Sequence, residues 1–447
     1  MLSLDNLHPY QRRVLDLATR TPNLGLLMEP GLGKTVTALS IISQSSSGPT
    51  LVVAPKQVAE SVWAQECAKW DHLKDLRVVK VMGSQAARMA ALREKADVYV
   101  INNENLAWLV DNWPQGRFKN LVIDESSRYK DPSTKRFKAL KKVLREFDRR
   151  IIATGTPTPQ GMGDLWSQLA ILDLGERLGR TLTGFRENYM FAAERNRHTG
   201  VVYKWAVREG KEKDILDKIS DICISLRAED YLTLPALTNV YEPVTLAPEV
   251  KTKYKQLSKS MATEIDGVQI TAVTAAALAN KLLQATSGAL YDEDGNVVVA
   301  HDAKLEALDS IIEQADGPVL VFYHYKSSLA RIQQTYPHAV TLEPSKIPAW
   351  QRGEIPLMLA HPQSGGIGLN LQCNAHNMAH TVWFDLPWSS ENYIQANARI
   401  YRQGQEKPVI VHHLVATGTI DEDVVKVLDG KISLQDALLD ALKLETT

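Results

Sequence analysis

The chain has 447 residues, 44% hydrophobic and 23% charged, a composition of globular rather than disordered or fibrous type, and its length suits two or three domains better than one core. A formal net charge of −1 excludes bulk electrostatic coating of nucleic acid, while leaving room for a local basic track. No apolar run reaches membrane-spanning length, and Cys67, Cys223 and Cys373 share no disulfide or zinc spacing.

The N-terminus holds Asp5, His8 and the Arg12–Arg13 pair where a secretory signal would be apolar, so a reducing cytoplasm is expected. The first predicted element is a helix opening at "LHPYQRRVL". Its Gln11 carries an amide that can both donate to and accept from a base edge, although alone the stretch is only a helix-start turn. Then "LGLLM" reads as a strand, "EPGLGKT" as a loop and "TVTALSIIS" as a helix start. That is the context of a phosphate-binding loop, where small residues let backbone N–H groups approach phosphate, Lys reaches the terminal phosphates and Thr serves Mg²⁺. Pro30, Gly31, Leu32, Gly33, Lys34 and Thr35 supply those parts. Met28 stands where the pattern has Gly, and a turn made by Pro30 and Gly31 would leave it at the strand exit. The competing reading is a tight turn with a solvated Lys.

Further buried-strand patterns follow at "TLVVAP", "DVYVIN", "NLVIDE" and "RRIIATGT". Such uninterrupted apolar runs belong to parallel sheets covered by helices. "NLVIDESS" sets Asp124 and Glu125 at a strand end, suited to Mg²⁺ coordination by the first and water activation by the second. An Asp-Glu pair after a strand is common in surface turns, and it gains meaning from the phosphate loop upstream. "KRFKALKKVLREFDRR", residues 135–150, is a helical basic stretch, either a nucleic-acid track or a solvated face. "IIATGTPTPQ" places Thr154, Gly155 and Thr156 at another strand end. Residues 165–300 read as mostly helical, with a crossing between halves at "TLPAL".

A second set of strand patterns runs through "GPVLVFYH", "HAVTLEP", "IPLMLAHP", "HTVWFDLP" and "PVIVHHLV", suggesting two α/β domains of similar build. "QSGGIGLNLQ", with Gly368, is a Gly-rich turn after a strand. In "SSENYIQANARIYRQGQ", Gln395, Arg399 and Arg402 recur at spacings of four and three, which predicts one helix face. An Arg pair from a separate domain stabilises developing phosphate charge; an amphipathic Arg-rich helix would look the same.

Taken in order, "LHPYQ", "MEPGLGKT", "DESSRYKDPSTKRFKAL", "TGTPTPQGMGDLWSQL", "GGIGLNLQ" and "QANARIYRQGQEKPVIVHHLVATGTIDEDV" resemble the motifs of the Swi/Snf-like ATPases of helicase superfamily two, most closely the compact phage and prophage versions. The resemblance implies an α/β fold of two RecA-like lobes, each a parallel sheet flanked by helices, with helical protrusions between them and ATP in the cleft. The expected boundaries are 1–170 for the first lobe, 171–232 for its protrusion, 233–300 for the crossing segment and second protrusion, and 301–447 for the second lobe. By the same resemblance, Pro30–Thr35 and Gly368 bind ATP, Thr35 and Asp124 serve Mg²⁺, Glu125 activates water, and Gln11 reads adenine. Arg402 is the arginine finger beside Arg399, and Thr154, Gly155, Thr156 and Gln395 couple hydrolysis to movement. The implied activity is that of an ATP-dependent motor on duplex or forked DNA, sequence-independent, monomeric, with replication or recombination proteins as further partners. "APKQV", "NNENL", "FYHYK" and "QSGG" would face nucleic acid. A strand-separating or fork-remodelling DNA helicase, an RNA-directed ATPase and a non-hydrolysing DNA clamp are the alternatives. Ser127 stands where the family has His, Ala398 where an acidic residue is common, and Gln403 where an apolar one is usual.

Overall fold

The computed structural model describes residues 1–45, 48–159, 161–195, 199–260, 262–265, 267–272, 275–363 and 369–441. The chain separates into two compact units, one built on Met1–Leu232 and the other on the stretch from Thr233 to Gly430.

The first unit holds strands β1 (Asn23–Met28), β2 (Thr50–Ala54), β3 (Val78–Lys80), β4 (Val98–Asn102), β5 (Asn120–Asp124) and β6 (Arg149–Thr154). A hairpin β7 (Met190–Arg195) with β8 (Val202–Val207) and a short β9 (Cys223–Leu226) follow. Seven of these form one sheet in the order β3-β4-β2-β5-β6-β1-β9, parallel throughout. All five strands expected here are present, because Leu24, Leu26, Leu27 and Met28 of β1 and their counterparts on β2, β4, β5 and β6 are buried on both faces. Each such side chain contributes roughly 1.5–3 kcal/mol on burial. β9 lies against β1 where Gly25 leaves room: a Cβ there would stand 2.7 Å from Cys223 Sγ.

The second unit adds β10 (Leu237–Val244), two hairpins, β11 (Ala262–Ile265) with β12 (Val268–Thr271) and β13 (Ala289–Tyr291) with β14 (Val297–Val299), then β15 (Val319–Phe322), β16 (Val340–Thr341), β17 (Leu357–Ala360), β18 (Ala379–Trp383) and β19 (Val409–Ala416). Its main sheet runs β10-β19-β18-β15-β17-β16, again parallel. Each unit is therefore a parallel sheet flanked by helices, the RecA-like arrangement. The middle of the chain departs from the mostly helical expectation. Helices Leu182–Tyr189, Lys211–Ile219, Pro248–Ser260 and Ala275–Thr286 are present, but three antiparallel hairpins stand among them.

Among the described residues no helix is long and apolar enough to cross a membrane. The three cysteines are free and buried.

Candidate functional site

The phosphate-loop stretch leaves β1 at Met28, whose side chain is fully buried in the core. Met28 is thus part of the sheet, and the turn is made after it. The Leu32 N–H returns to the Glu29 carbonyl at 3.4 Å, Gly31 and Gly33 take φ of 91° and 73°, and helix α2 (Lys34–Ser43) begins directly after Gly33. Positive φ is a glycine conformation, so both loop glycines are there for backbone reasons. Gly33 has a second reason: a Cβ would stand 2.4 Å from Gln11 Nε2.

Gln11 lies in the first turn of helix α1 (Pro9–Arg20) and is buried. Its Oε1 accepts the His8 N–H at 2.9 Å, and its Nε2 donates to the Leu32 carbonyl at 3.3 Å and to Thr37 Oγ1 at 3.4 Å. The amide therefore braces the phosphate loop. Glu29, inside the loop, accepts the Ala228 N–H at 2.7 Å and fastens the loop to the segment after β9.

Lys34 turns its ammonium onto the loop, donating to the Met28 carbonyl at 2.9 Å and the Glu29 carbonyl at 3.3 Å. Asp124 ends β5, one strand removed from β1 across β6. Burial pushes its carboxyl upward, and the Lys34 charge works in the opposite direction. A carboxylate so desolvated needs a positive partner to stay ionised. Glu125 follows in a left-handed conformation with φ 55° and ψ 59°, rare for a non-glycine residue and a mark of functional turns. Its Oε2 lies 3.5 Å from Thr154 Oγ1, which accepts the Thr156 N–H at 3.1 Å. Gly155 packs on the loop itself, where an added Cβ would meet Pro30 Cδ at 2.8 Å.

Gln11, Pro30–Thr35, Asp124, Glu125 and Thr154–Thr156 are thus drawn together within the first unit. The donor set fits a nucleoside triphosphate with a divalent cation. A helix N-terminus with permissive glycines suits phosphate, and a desolvated carboxylate beside a lysine suits a further cation. Gly368 lies outside the described residues.

Gln395, Arg399 and Arg402 belong to the second unit, and the single helix face expected for them is not formed. The helix Ser390–Asn397 stops before Arg399. Asn397 Oδ1 accepts the Trp383 indole N–H at 3.1 Å, and the Arg399 carbonyl accepts the Leu371 N–H at 2.9 Å. Gln395 Nε2 donates to Glu391 Oε1 at 3.5 Å. Arg399 is buried and donates to the Pro362 carbonyl at 3.1 Å; burial lowers its guanidinium to about 10. Arg402 is partly buried, and its carbonyl accepts Gln372 Nε2 at 2.7 Å. The basic stretch 135–150 divides in the same way. Lys135, Lys138, Lys141 and Lys142 are exposed, whereas Arg150 is buried and donates to the Leu172 and Leu144 carbonyls at 2.7 and 3.0 Å.

Sequence reasoning missed Glu29, Ser126 and Gln168 as parts of this site. Glu29 and Ser126 stand in the turns after β1 and β5, and only Gln168 carried a signal, a polar residue inside an apolar-patterned helix. It also missed the link from Tyr129, after the carboxylates, to Asn103 Oδ1 at 2.9 Å.

A phosphate loop at the carboxyl end of a strand in one parallel sheet, followed in the chain by a second parallel-sheet unit, defines the class of two-unit nucleotide-driven motors. The SNF2-related domain matches residues 10–286, and the chain belongs to that family. It is 36% identical to protein p41 of Acyrthosiphon pisum secondary endosymbiont phage 1, covering 97% of this chain and 98% of that one. It is 27% identical to YwqA of Bacillus subtilis, a protein named for an ATP-dependent helicase/translocase activity, over 97% of this chain but only 49% of that one. The solved Sulfolobus solfataricus SWI2/SNF2 ATPase core in complex with dsDNA aligns with 98% of this chain and 94% of its own at 22% identity and a TM-score of 0.44.

Proposed function

We propose that this chain is a DNA-dependent ATPase that moves along duplex DNA without reading its sequence. The observation that carries the reading is the convergence of Lys34, the buried Asp124 and the strained Glu125 on the glycine loop at the head of α2. Pro30–Gly33 cradle the phosphates, Lys34 exchanges its loop carbonyls for phosphate oxygens, and Gln11 holds the loop and meets the adenine edge. Thr35 and Asp124 hold Mg²⁺, which when bound supplies charge to the phosphates. Glu125 takes a proton from the attacking water. Arg399 and Arg402 contribute positive charge at the terminal phosphate, and Gly368 belongs to the same nucleotide site. Thr154, Gly155, Thr156 and Gln395 relay the nucleotide state. DNA is gripped mainly through its phosphates, which makes binding steeply salt-dependent. The protein works as a monomer in the cytoplasm of a bacterial host, with replication or recombination proteins as partners.

Loss of an arginine finger typically costs about 10³–10⁵ in rate. Arg402→Ala is therefore expected to bind a non-hydrolysable ATP analogue as wild type does and to lose turnover by that order. Normal turnover in Arg402→Ala would remove the assignment.

A further inference from the structure

Two segments of the first unit bear on the reaction and are far apart in sequence: the turn at Glu125 and the loop Thr154–Thr158. They follow the paired strands β5 and β6, and one side-chain contact between them, from Thr154 Oγ1 to Glu125 Oε2, is 3.5 Å long, beyond the range of a firm hydroxyl bond. A second link passes through Gln168, on the helix Leu165–Asp173, which closes the "TGTPTPQGMGDLWSQL" stretch and has no part in the proposed chemistry. Gln168 is fully buried, and its amide is committed at both ends. Its Oε1 accepts the Ser126 hydroxyl at 2.8 Å, and its Nε2 donates to the Pro157 carbonyl at 2.7 Å and the Asp164 carbonyl at 2.9 Å. All three bonds have normal length, and a buried amide so paired holds its neighbours in fixed register.

What lies at each end gives the brace a use. Ser126 is buried and follows Glu125, whose left-handed backbone is uncommon for a residue with a side chain and is held in place by its surroundings. At the other end, Thr156 Oγ1 and Thr158 Oγ1 are buried without a hydrogen-bond partner among the described residues. That loop is therefore incompletely satisfied where it stands. Between those threonines, Pro157 takes the bond from Gln168, and next to Thr156 Gly155 packs on Pro30 of the phosphate loop.

We infer that Gln168 is a positioning residue that carries displacement of the Glu125–Ser126 turn to Pro157 and so sets the loop Thr154–Thr158. The inference rests on the ATPase reading above and adds the residue through which nucleotide state reaches the loop. A Gln168 that only anchored its helix would change stability, with no effect on how folded protein responds to DNA.

The test uses the full chain with Ser126→Ala, Gln168→Leu, the double variant and the conservative Ser126→Thr. Basal and duplex-stimulated ATP turnover are measured alongside affinity for a non-hydrolysable ATP analogue. Ser126→Ala is expected to lower the ratio of stimulated to basal turnover about tenfold, the worth of one buried hydrogen bond, and Gln168→Leu, which also loses the bonds to the Pro157 and Asp164 carbonyls, by at least as much. The double variant falls no further than Gln168→Leu, because the two residues form one link. Analogue affinity stays at the wild-type value, and Ser126→Thr restores the ratio. A wild-type ratio in both single variants overturns the inference. If Gln168→Leu fails to fold, Ser126→Ala decides alone, since it removes only a hydroxyl. A wild type that no DNA stimulates would instead remove the proposed function. In that case, hydrogen exchange at residues 154–158 decides the matter. An analogue-induced change present in wild type and absent in Ser126→Ala supports the brace; the same change in both, or none in wild type, overturns it.

Discussion

Asp421, in the "GTIDE" stretch that opens the last helix, carries a sharp prediction about the second unit. Its carboxylate lies 2.8 Å from the Lys304 ammonium, and both side chains are 1% exposed. The same carboxylate accepts the Thr286 hydroxyl at 2.8 Å and the Ala416 N–H at 3.0 Å. Lys304 keeps one further bond, to the Phe384 carbonyl at 3.2 Å. Asp421→Ala therefore leaves an ammonium buried with a single backbone partner. Removing one member of a buried pair costs about 3–5 kcal/mol, and the orphaned Ala416 N–H falls within that total because contacts in one network do not add; the Thr286 hydroxyl keeps the Leu283 carbonyl at 2.9 Å. For a unit the size of Thr233–Gly430, this corresponds to a drop of roughly 6–20 °C in the unfolding midpoint. Thermal unfolding of wild type, Asp421→Ala and the double variant Lys304→Met/Asp421→Leu measures it. The double variant removes both charges and should recover most of the loss. An Asp421→Ala midpoint within about 2 °C of wild type, or a double variant less stable than Asp421→Ala, would refute the reasoning.

Two further outcomes follow from the geometry. Gly33→Ala forces a side chain into a left-handed conformation, at roughly 1–2 kcal/mol, and drives its Cβ against the Gln11 amide. Melting should show the stability loss, and titration with an ATP analogue an affinity loss of about tenfold or more; unchanged affinity would mean that the loop geometry does not matter for nucleotide. His413 is buried between the Tyr393 hydroxyl at 2.8 Å and the Val240 carbonyl at 3.3 Å, and burial depresses it from 6.5 to about 4. Its folded value lies below its unfolded one, so the stability it contributes is complete above pH 6.5 and declines as pH falls towards 4. The total loss is about 3 kcal/mol at 1.36 kcal/mol per pH unit. Urea melts across that range should show the decline in wild type and a shallower one in His413→Gln; equal slopes would contradict it.

The strands were legible in the sequence wherever both faces are buried, because continuous runs such as "TLVVA" and "NLVID" have no other comfortable place. β10 escaped because it is an edge strand with polar Thr238, Asn239 and Glu242 and a proline, Pro243, tolerated only where no ladder bond is needed. β9, Cys223–Leu226, also escaped; its trace in the sequence is Gly25, which yields space to Cys223. At the candidate site, Lys34, Asp124 and Glu125, which the structure draws together, stood out because a phosphate-loop reading calls for those residue types at strand ends. Ser126 and Gln168 did not, since their bond spans 42 positions and no local pattern anticipates it. The periodicity of Gln395, Arg399 and Arg402 misled because the helix Ser390–Asn397 ends before Arg399, whose carbonyl accepts the Leu371 N–H and whose guanidinium donates to the Pro362 carbonyl, tertiary contacts that spacing alone does not encode.

The most direct test of the central claim is steady-state ATP hydrolysis by wild type and Glu125→Gln with no nucleic acid, single strands, duplex, forked DNA and RNA. Strong stimulation by duplex DNA in wild type, lost in Glu125→Gln, is the predicted result. A preference for forks would point to fork remodelling as the work of this motor. Hydrolysis indifferent to every nucleic acid, or undiminished in Glu125→Gln, would contradict the account.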